Sequence, residues 1–232
     1  MTTRQGTAKQ REVERIMAIL SRAIAQHRLP PGTRLVEAQI VETLKANRNH
    51  VQSALQRLAL QKIVTIEANR GAHVSQPSAR EARELFAARR AIERGVVESI
   101  TPEKMGKHRK RIELHMAAER GALQARDRRA VVRELGEFHR VLGEICGNAV
   151  LADILENLMV RSALIEALYQ GNDRSSRQHE EHGEILDALA KGDNELAIAR
   201  MRYHLDHLES ELMLDDEGEP VVNLKEALSS LG

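Results

Sequence analysis

The sequence predicts a mainly α chain in two parts. An N-terminal winged helix-turn-helix with a small β-wing is followed by a C-terminal antiparallel all-α bundle of about six helices. Three observations carry this. Between Leu29 and Val74, two short amphipathic patterns joined by a few polar residues precede a β-branched run (Ile63 to Ile66), an Asn-Arg-Gly turn and a second short apolar piece. From Ser78 onward only helical periodicity is found. The composition is 42% apolar but only 2% aromatic, with no Trp, which suits close-packed helices of Leu, Ile, Val, Ala and Met.

Residues 1–8 are polar and expected to be disordered. Over 9–27, Val13, Ile16, Met17, Ile19, Leu20, Ala23 and Ile24 recur at helical spacing, which predicts a helix packed behind the helix-turn-helix. Pro30-Pro31-Gly32 cannot continue it. The next helix runs over 36–46, with Ile40, Val41 and Leu44 inward. Asn47 is placed to cap the third helix, which buries Val51, Ala54, Leu55 and Leu58. That leaves Arg48, Asn49 and Gln52 exposed near its N-terminal end. Gly71 at the hairpin tip supplies a positive φ without strain. The winged module spans 9–75, and a linker at 76–78 leads to the body at 79–213.

In the body, helices are predicted over about 78–99, 103–125, 127–146, 149–170, 175–191 and 193–213. Breaks fall at Thr101-Pro102, Arg126-Asp127, Gly147-Asn148, Gly171-Asn172-Asp173 and Gly192-Asp193. Short connections make neighbouring helices antiparallel. A tail, 214–232, follows the last break.

A net charge of +1 hides an asymmetry. Residues 1–77 hold 12 Lys/Arg against 5 Asp/Glu, and the remainder 23 against 29, so a basic head joins an acidic body. One Cys, Cys146, excludes an internal disulfide and a Cys-based zinc finger. Neither an apolar leader nor a run of ~18 apolar residues is present. A cytoplasmic protein with no membrane partner is expected.

The head resembles the GntR regulators. Pro31-Gly32-Thr33-Arg34-Leu35 with Glu37 is similar to that family's entry into the helix-turn-helix, Asn47–Leu58 to its recognition helix, and Asn69–Val74 to its wing. The family usually has Ser or Thr at the place of Asn47, Pro at His50, Arg at Gln52 and Glu at Ser53. The resemblance implies a double-stranded DNA operator as partner. Arg48, Asn49 and Gln52, with Gln56 a further candidate, then stand on the side that meets base edges, Arg suiting guanine and Asn or Gln adenine, and the cap residue Asn47 is counted with the DNA-binding residues. Arg34, Arg57, Arg70 and Gly71 suit phosphate or minor-groove contact. Each of these is equally readable as an ordinary surface residue.

The body resembles the FCD effector-binding domain of the FadR-like branch. The likeness rests on Arg89–Glu93, Glu137–Leu151, Glu180–Asp193 and Ala199–Leu205. Six helices rather than seven would place it nearer the VanR-like subgroup. By resemblance, His139, His182 and His204 occupy metal-ligand positions, which implies a divalent ion such as zinc or nickel. The family's fourth ligand, an Asp one turn before the first His, is Leu135 here. Glu134 and Glu137 lie roughly 140° and 160° around the helix from His139, the wrong side for a replacement. Arg89 matches a pocket-side Arg for a small organic acid, and pairs equally well with Glu93 at i,i+4. Arg161 is a second candidate for the acid. The implied function is a ligand-responsive repressor that acts as a homodimer on a palindrome. The alternative is a metal-dependent enzyme using the three histidines. Against it, His179-Glu180-Glu181-His182 lacks the H-E-x-x-H spacing, and no phosphate loop or placed nucleophile is found.

Overall fold

The computed structural model describes residues 8–169 and 175–214, apart from the side chains of 128, 129, 175 and 176. Of the disorder expected over 1–8, residues 1–7 lie outside the described residues, as do the break at Gly171-Asn172-Asp173 and the tail from 215, whereas Ala8 already opens the first helix.

The head is built as its pattern dictates. Helix α1 (Ala8–Ala25) buries Val13, Ile16, Leu20 and Ile24 against α3 (Arg48–Leu60), which buries Val51, Ala54, Leu55 and Leu58. Helix α2 (Glu37–Leu44) lays half-buried Ile40, Val41 and Leu44 on the same core. It ends at Lys45, whose φ of 49° turns the chain. Asn47 then caps α3, its Oδ1 accepting from the Asn49 amide at 2.8 Å. The wing pairs β2 (Val64–Glu67) with β3 (Gly71–Val74), in register Val64 to Val74 and Glu67 to Gly71. Asn69 and Gly71, at φ 65° and 81°, close its tip. One strand has no counterpart in the sequence reading. Arg34 and Leu35 form β1, which pairs with β3 and places β3 in the middle of the sheet.

The body holds seven described helices, not six. The predicted 103–125 helix is two, α5 (Pro102–Lys107) and α6 (Arg109–Ala125), with a break at His108. Inward-facing Met105 and Ile112 are seven positions apart, two helical turns, so the apolar pattern crosses the break in phase and conceals it. The ground for the VanR-like subgroup goes with it. The others are α4 (Ala79–Glu98), α7 (Arg128–Cys146), α8 (Ala149–Tyr169), α9 (Ser175–Ala190) and α10 (Asn194–Ser210). Ser78 and Glu81 form a reciprocal cap that starts α4 directly after the linker. Asn148 caps α8, accepting from the amides of Val150 and Leu151.

Helix α8 ties the two parts together. It is apolar on most of its circumference, the mark of a helix covered on several sides. Leu155, Leu158, Met159 and Ile165 join the bundle core, while Val160 and Leu164 complete the core of the head. Burying those two contributes roughly 1.5–3 kcal/mol each. The hydrogen bond from Asn157 to the Gln61 carbonyl, at 3.2 Å, adds about 1 kcal/mol. Apolar contact therefore dominates the docking of head on body.

Candidate functional site

Two sites stand about α8, one exposed and one buried. In the head, α3 presents exposed Arg48 and Asn49 along one side of its N-terminal half, with Gln52, expected to be exposed, half-buried against Glu37. Gln52 donates to Glu37 Oε2 at 2.9 Å, and Arg48 Nε lies 3.5 Å from the same oxygen. Asn47, Arg57 and Arg34 are exposed, although Asn47 has its Oδ1 committed to the helix cap. Arg70 stands at the wing tip beside Gly71, paired with Glu67 at 3.0 Å and 76% exposed. No carboxylate but Glu37 meets the recognition face among the described ion pairs.

In the body, α7, α9 and α10 bring His139, His182 and His204 together, all fully buried. One ring nitrogen from each lies within 4.8 Å of the other two. The arrangement follows from what holds the opposite nitrogens. His139 Nδ1 donates to Glu93, His182 Nδ1 to Glu119 at 2.9 Å, and His204 Nδ1 to Glu181 at 2.8 Å. An ionised carboxylate only accepts, so each Nδ1 carries the proton and each Nε2 keeps its lone pair. The Nε2 atoms of His182 and His204 face each other at 3.3 Å. Phe138 stacks on His182 with ring centroids 3.7 Å apart and fixes that ring's plane.

Electrostatics keeps these rings neutral. Burial pushes His139, His182 and His204 down to about 4, outweighing the carboxylates that pull them up. Burial would raise Glu93, but Arg89 and His139 overcome it and hold the acid at about 2. Glu119 and Glu181 are likewise lowered, burial being outweighed by the histidines around them. The site is therefore three neutral imidazoles backed by three anions at neutral pH.

The donor set fits a divalent ion. Three ring nitrogens gathered within 4.8 Å, each on a ring oriented by a carboxylate, form the usual support of a histidine metal site, with the His139 Nε2 lone pair accepting from Arg89 Nη2 here. Among the described residues the three histidines gather without a fourth candidate ligand. Leu135, which offers no ligand atom, packs with Ala122, Ala130, Val131 and Leu123. Glu137 pairs with Arg111 at 2.9 Å and Glu134 with Arg133, so neither replaces it. The residues present would hold an ion with positions left open.

Arg89 makes the expected pair with Glu93 and also reaches the histidines. Fully buried, it donates from Nε to Glu93 at 2.7 Å, from Nη1 to Ser162 Oγ at 2.9 Å, and brings Nη2 to 3.1 Å from His139 Nε2. Arg161 is not brought to this site. It is half-buried on α8 and acts on Glu81 at the start of α4. Ser162, the next residue along α8, is the one that meets Arg89.

Sequence reasoning missed the supports. Glu119 also receives His115 at 2.8 Å and His179 at 2.7 Å, and Glu181 lies 2.8 Å from His207. The one local signal is the i,i+4 spacing of His115 and Glu119. A groove of about 920 Å³ between α1 and α6, α7 and α8 reaches this network at His115 and is also lined by Glu166, which Ser162 meets at 3.4 Å.

Comparison with known proteins matches the two parts of the chain to known families. Residues 12–74 match the profile of bacterial regulatory proteins of the gntR family, and residues 84–207 match the FCD domain. A probable D-xylose utilization operon transcriptional repressor of Paenarthrobacter nicotinovorans is 27% identical over 78% of this chain and 80% of its own. The HTH-type transcriptional repressor RspR of Escherichia coli K12 is 25% identical over 84% and 86%. A structure from Rhodococcus sp. RHA1 described as a GntR transcriptional regulator superposes with a TM-score of 0.72. It shares 26% identity and covers 85% of this chain and 95% of that one. A winged head that meets DNA, joined to a helical domain that takes a small ligand, defines a ligand-responsive transcription regulator. The chain belongs to the GntR family, in the group that carries an FCD domain. These relatives regulate transcription and are not enzymes, which sets aside the reading of the histidines as a catalytic metal site. No described helix is long and apolar enough to cross a membrane.

Proposed function

We propose that the chain is a cytoplasmic homodimeric repressor that binds a palindromic operator and is released by a small organic acid at the histidine centre. The observation that carries the reading is the meeting of three histidine lone pairs with the Arg89 guanidinium in one buried place. A divalent ion such as zinc or nickel, held by His139, His182 and His204, would supply a Lewis-acid partner for a carboxylate. Arg89 would take the same ligand's charge by a charge-assisted hydrogen bond. A carboxylic acid satisfies both, whereas a neutral or cationic ligand leaves Arg89 facing an ion of its own sign.

Helix α8 supplies a route from the ligand to the head. Ser162 touches Arg89, while Val160 and Leu164, two residues to either side, lie in the core of the head. A ligand that draws Arg89 away from Ser162 alters the helix on which the head rests. Two states of that contact are what regulation requires. Dimer formation is supported by the few base pairs one recognition helix reads. Exposed Val150 and Ile154, one turn apart on α8, together with Leu114 on α6, offer apolar surface for it.

The test is binding of a fluorescent duplex, taken from sequences the protein selects itself, in the presence of zinc or nickel and a panel of mono-, di- and tricarboxylates. One acid class should release the duplex from wild type and fail to release it from Arg89→Ala. Equal binding with every acid would contradict the reading.

A further inference from the structure

Glu37 is an acidic residue on the face assigned to polyanionic DNA, and two of the candidate base readers, Arg48 and Gln52, meet it there. It opens α2, and its Oε2 accepts from Gln52 Nε2 at 2.9 Å while Arg48 Nε stands 3.5 Å away. Glu37 and Arg48 are 36% and 74% exposed, so this cluster faces the solvent that DNA would replace. Arg48 Nη1 and Nη2 and Gln52 Oε1 have no partner among the described residues.

We propose that Glu37 is a positioning residue for sequence reading, one carboxylate holding Arg48 and Gln52 as a single recognition unit. The proposal rests on the DNA-binding reading of the head. An arginine whose Nε faces the carboxylate leaves its two terminal amino groups free, the fork that fits O6 and N7 of one guanine. Gln52 tethered by one amide hydrogen keeps the other and its oxygen, the pair that fits N7 and N6 of adenine. The two side chains are one helical turn apart, about 6 Å. That is under two base-pair steps of about 3.4 Å, so the unit addresses neighbouring or next-neighbouring base pairs. Held in advance, neither side chain loses its full rotamer freedom on binding.

The competing role for an acid in the first turn of a helix is interaction with the helix dipole. That role predicts a small loss of stability on removal and no change in base preference. The positioning role predicts effects of opposite sign on two kinds of DNA. Taking away the carboxylate frees both readers and weakens discrimination. It also removes a negative charge from beside the phosphates, which favours DNA of any sequence.

The experiment is selection from a random-sequence duplex pool by wild type, Glu37→Gln and Glu37→Ala, followed by salt-dependent binding of the selected duplex and a scrambled one. Wild type should enrich half-sites with a guanine and an adenine one or two steps apart. In Glu37→Ala the affinity ratio of selected to scrambled duplex should fall roughly five- to a hundredfold. Binding of the scrambled duplex should hold or tighten. Glu37→Gln keeps an acceptor for Gln52 but not the charge facing Arg48, so it should blur the guanine and retain the adenine. The same motif enriched by all three proteins, with an unchanged ratio, would overturn the positioning role. A wild type that enriches nothing would overturn the DNA-binding reading itself.

Discussion

At the tip of the head, Glu37 engages Arg48 and Gln52 with Arg48 74% exposed, whereas in the body Glu93 engages Arg89 and His139 with all three fully buried. The connectivity is nearly the same: one carboxylate orients a guanidinium and one further side chain. The surroundings separate the two. Water screens the exposed cluster, so its pairing is worth about 0–1 kcal/mol and the side chains remain available to a partner. The buried cluster has given up its hydration, and each member depends on the others to avoid an unpaired charge. The exposed site can be altered with little cost to the fold and a large cost to recognition. The buried site should behave the other way.

The largest effect is expected where one acid serves several partners. Glu119→Ala removes the acceptor of His115, His179 and His182 together and should destabilise the protein by about 3–5 kcal/mol, read by urea unfolding. Glu119→Gln keeps one acceptor and should cost less. A loss under about 1 kcal/mol for the alanine variant would show that the buried network carries little energy.

Next comes pH. His139, His182 and His204 titrate near 4 in the folded protein, against an ordinary value of 6.5. An unfolded chain therefore takes up protons between pH 6.5 and 4 that the native one refuses. Stability present above pH 6.5 is lost as pH falls through this window. Between pH 7 and 5, chelator-treated protein should lose about 2 kcal/mol or more. The same chain with all three histidines changed to Ala should lack most of that slope. Equal slopes would place the proton uptake elsewhere.

The smallest stability change and the sharpest functional one should coincide at Arg48. Arg48→Ala should alter folding by less than about 0.5 kcal/mol. It should cost about 1–3 kcal/mol of preference for the selected duplex over a scrambled one. A stability loss as large as the loss of preference would erase the contrast between the two sites.

The contrast also accounts for what the sequence made visible. Signals that repeat along one helix were legible: the buried face Val51, Ala54, Leu55 and Leu58, the Asn47 cap and the positive φ at Gly71 are local physics. The three histidines were placed by resemblance, and their convergence is as expected. Partners brought from distant helices were not legible. Glu119 lies 63 residues from His182, and no local pattern connects them. The dual role of α8 was hidden too, because Val160 and Leu164 look like ordinary bundle residues until the head is laid on them. Arg161 failed as a candidate because one step along a helix, about 100°, turns a side chain away from the site that Ser162 faces. The two-residue β1 offers no period to detect.

The most direct test of the account is elemental analysis of protein purified without an affinity tag or chelator, comparing wild type with the His139→Ala, His182→Ala, His204→Ala triple variant. The account predicts close to one divalent ion per chain in wild type and none in the variant, despite Leu135. No metal in folded wild-type protein would contradict the metal centre and leave Arg89 and the histidines as direct contacts for an anion.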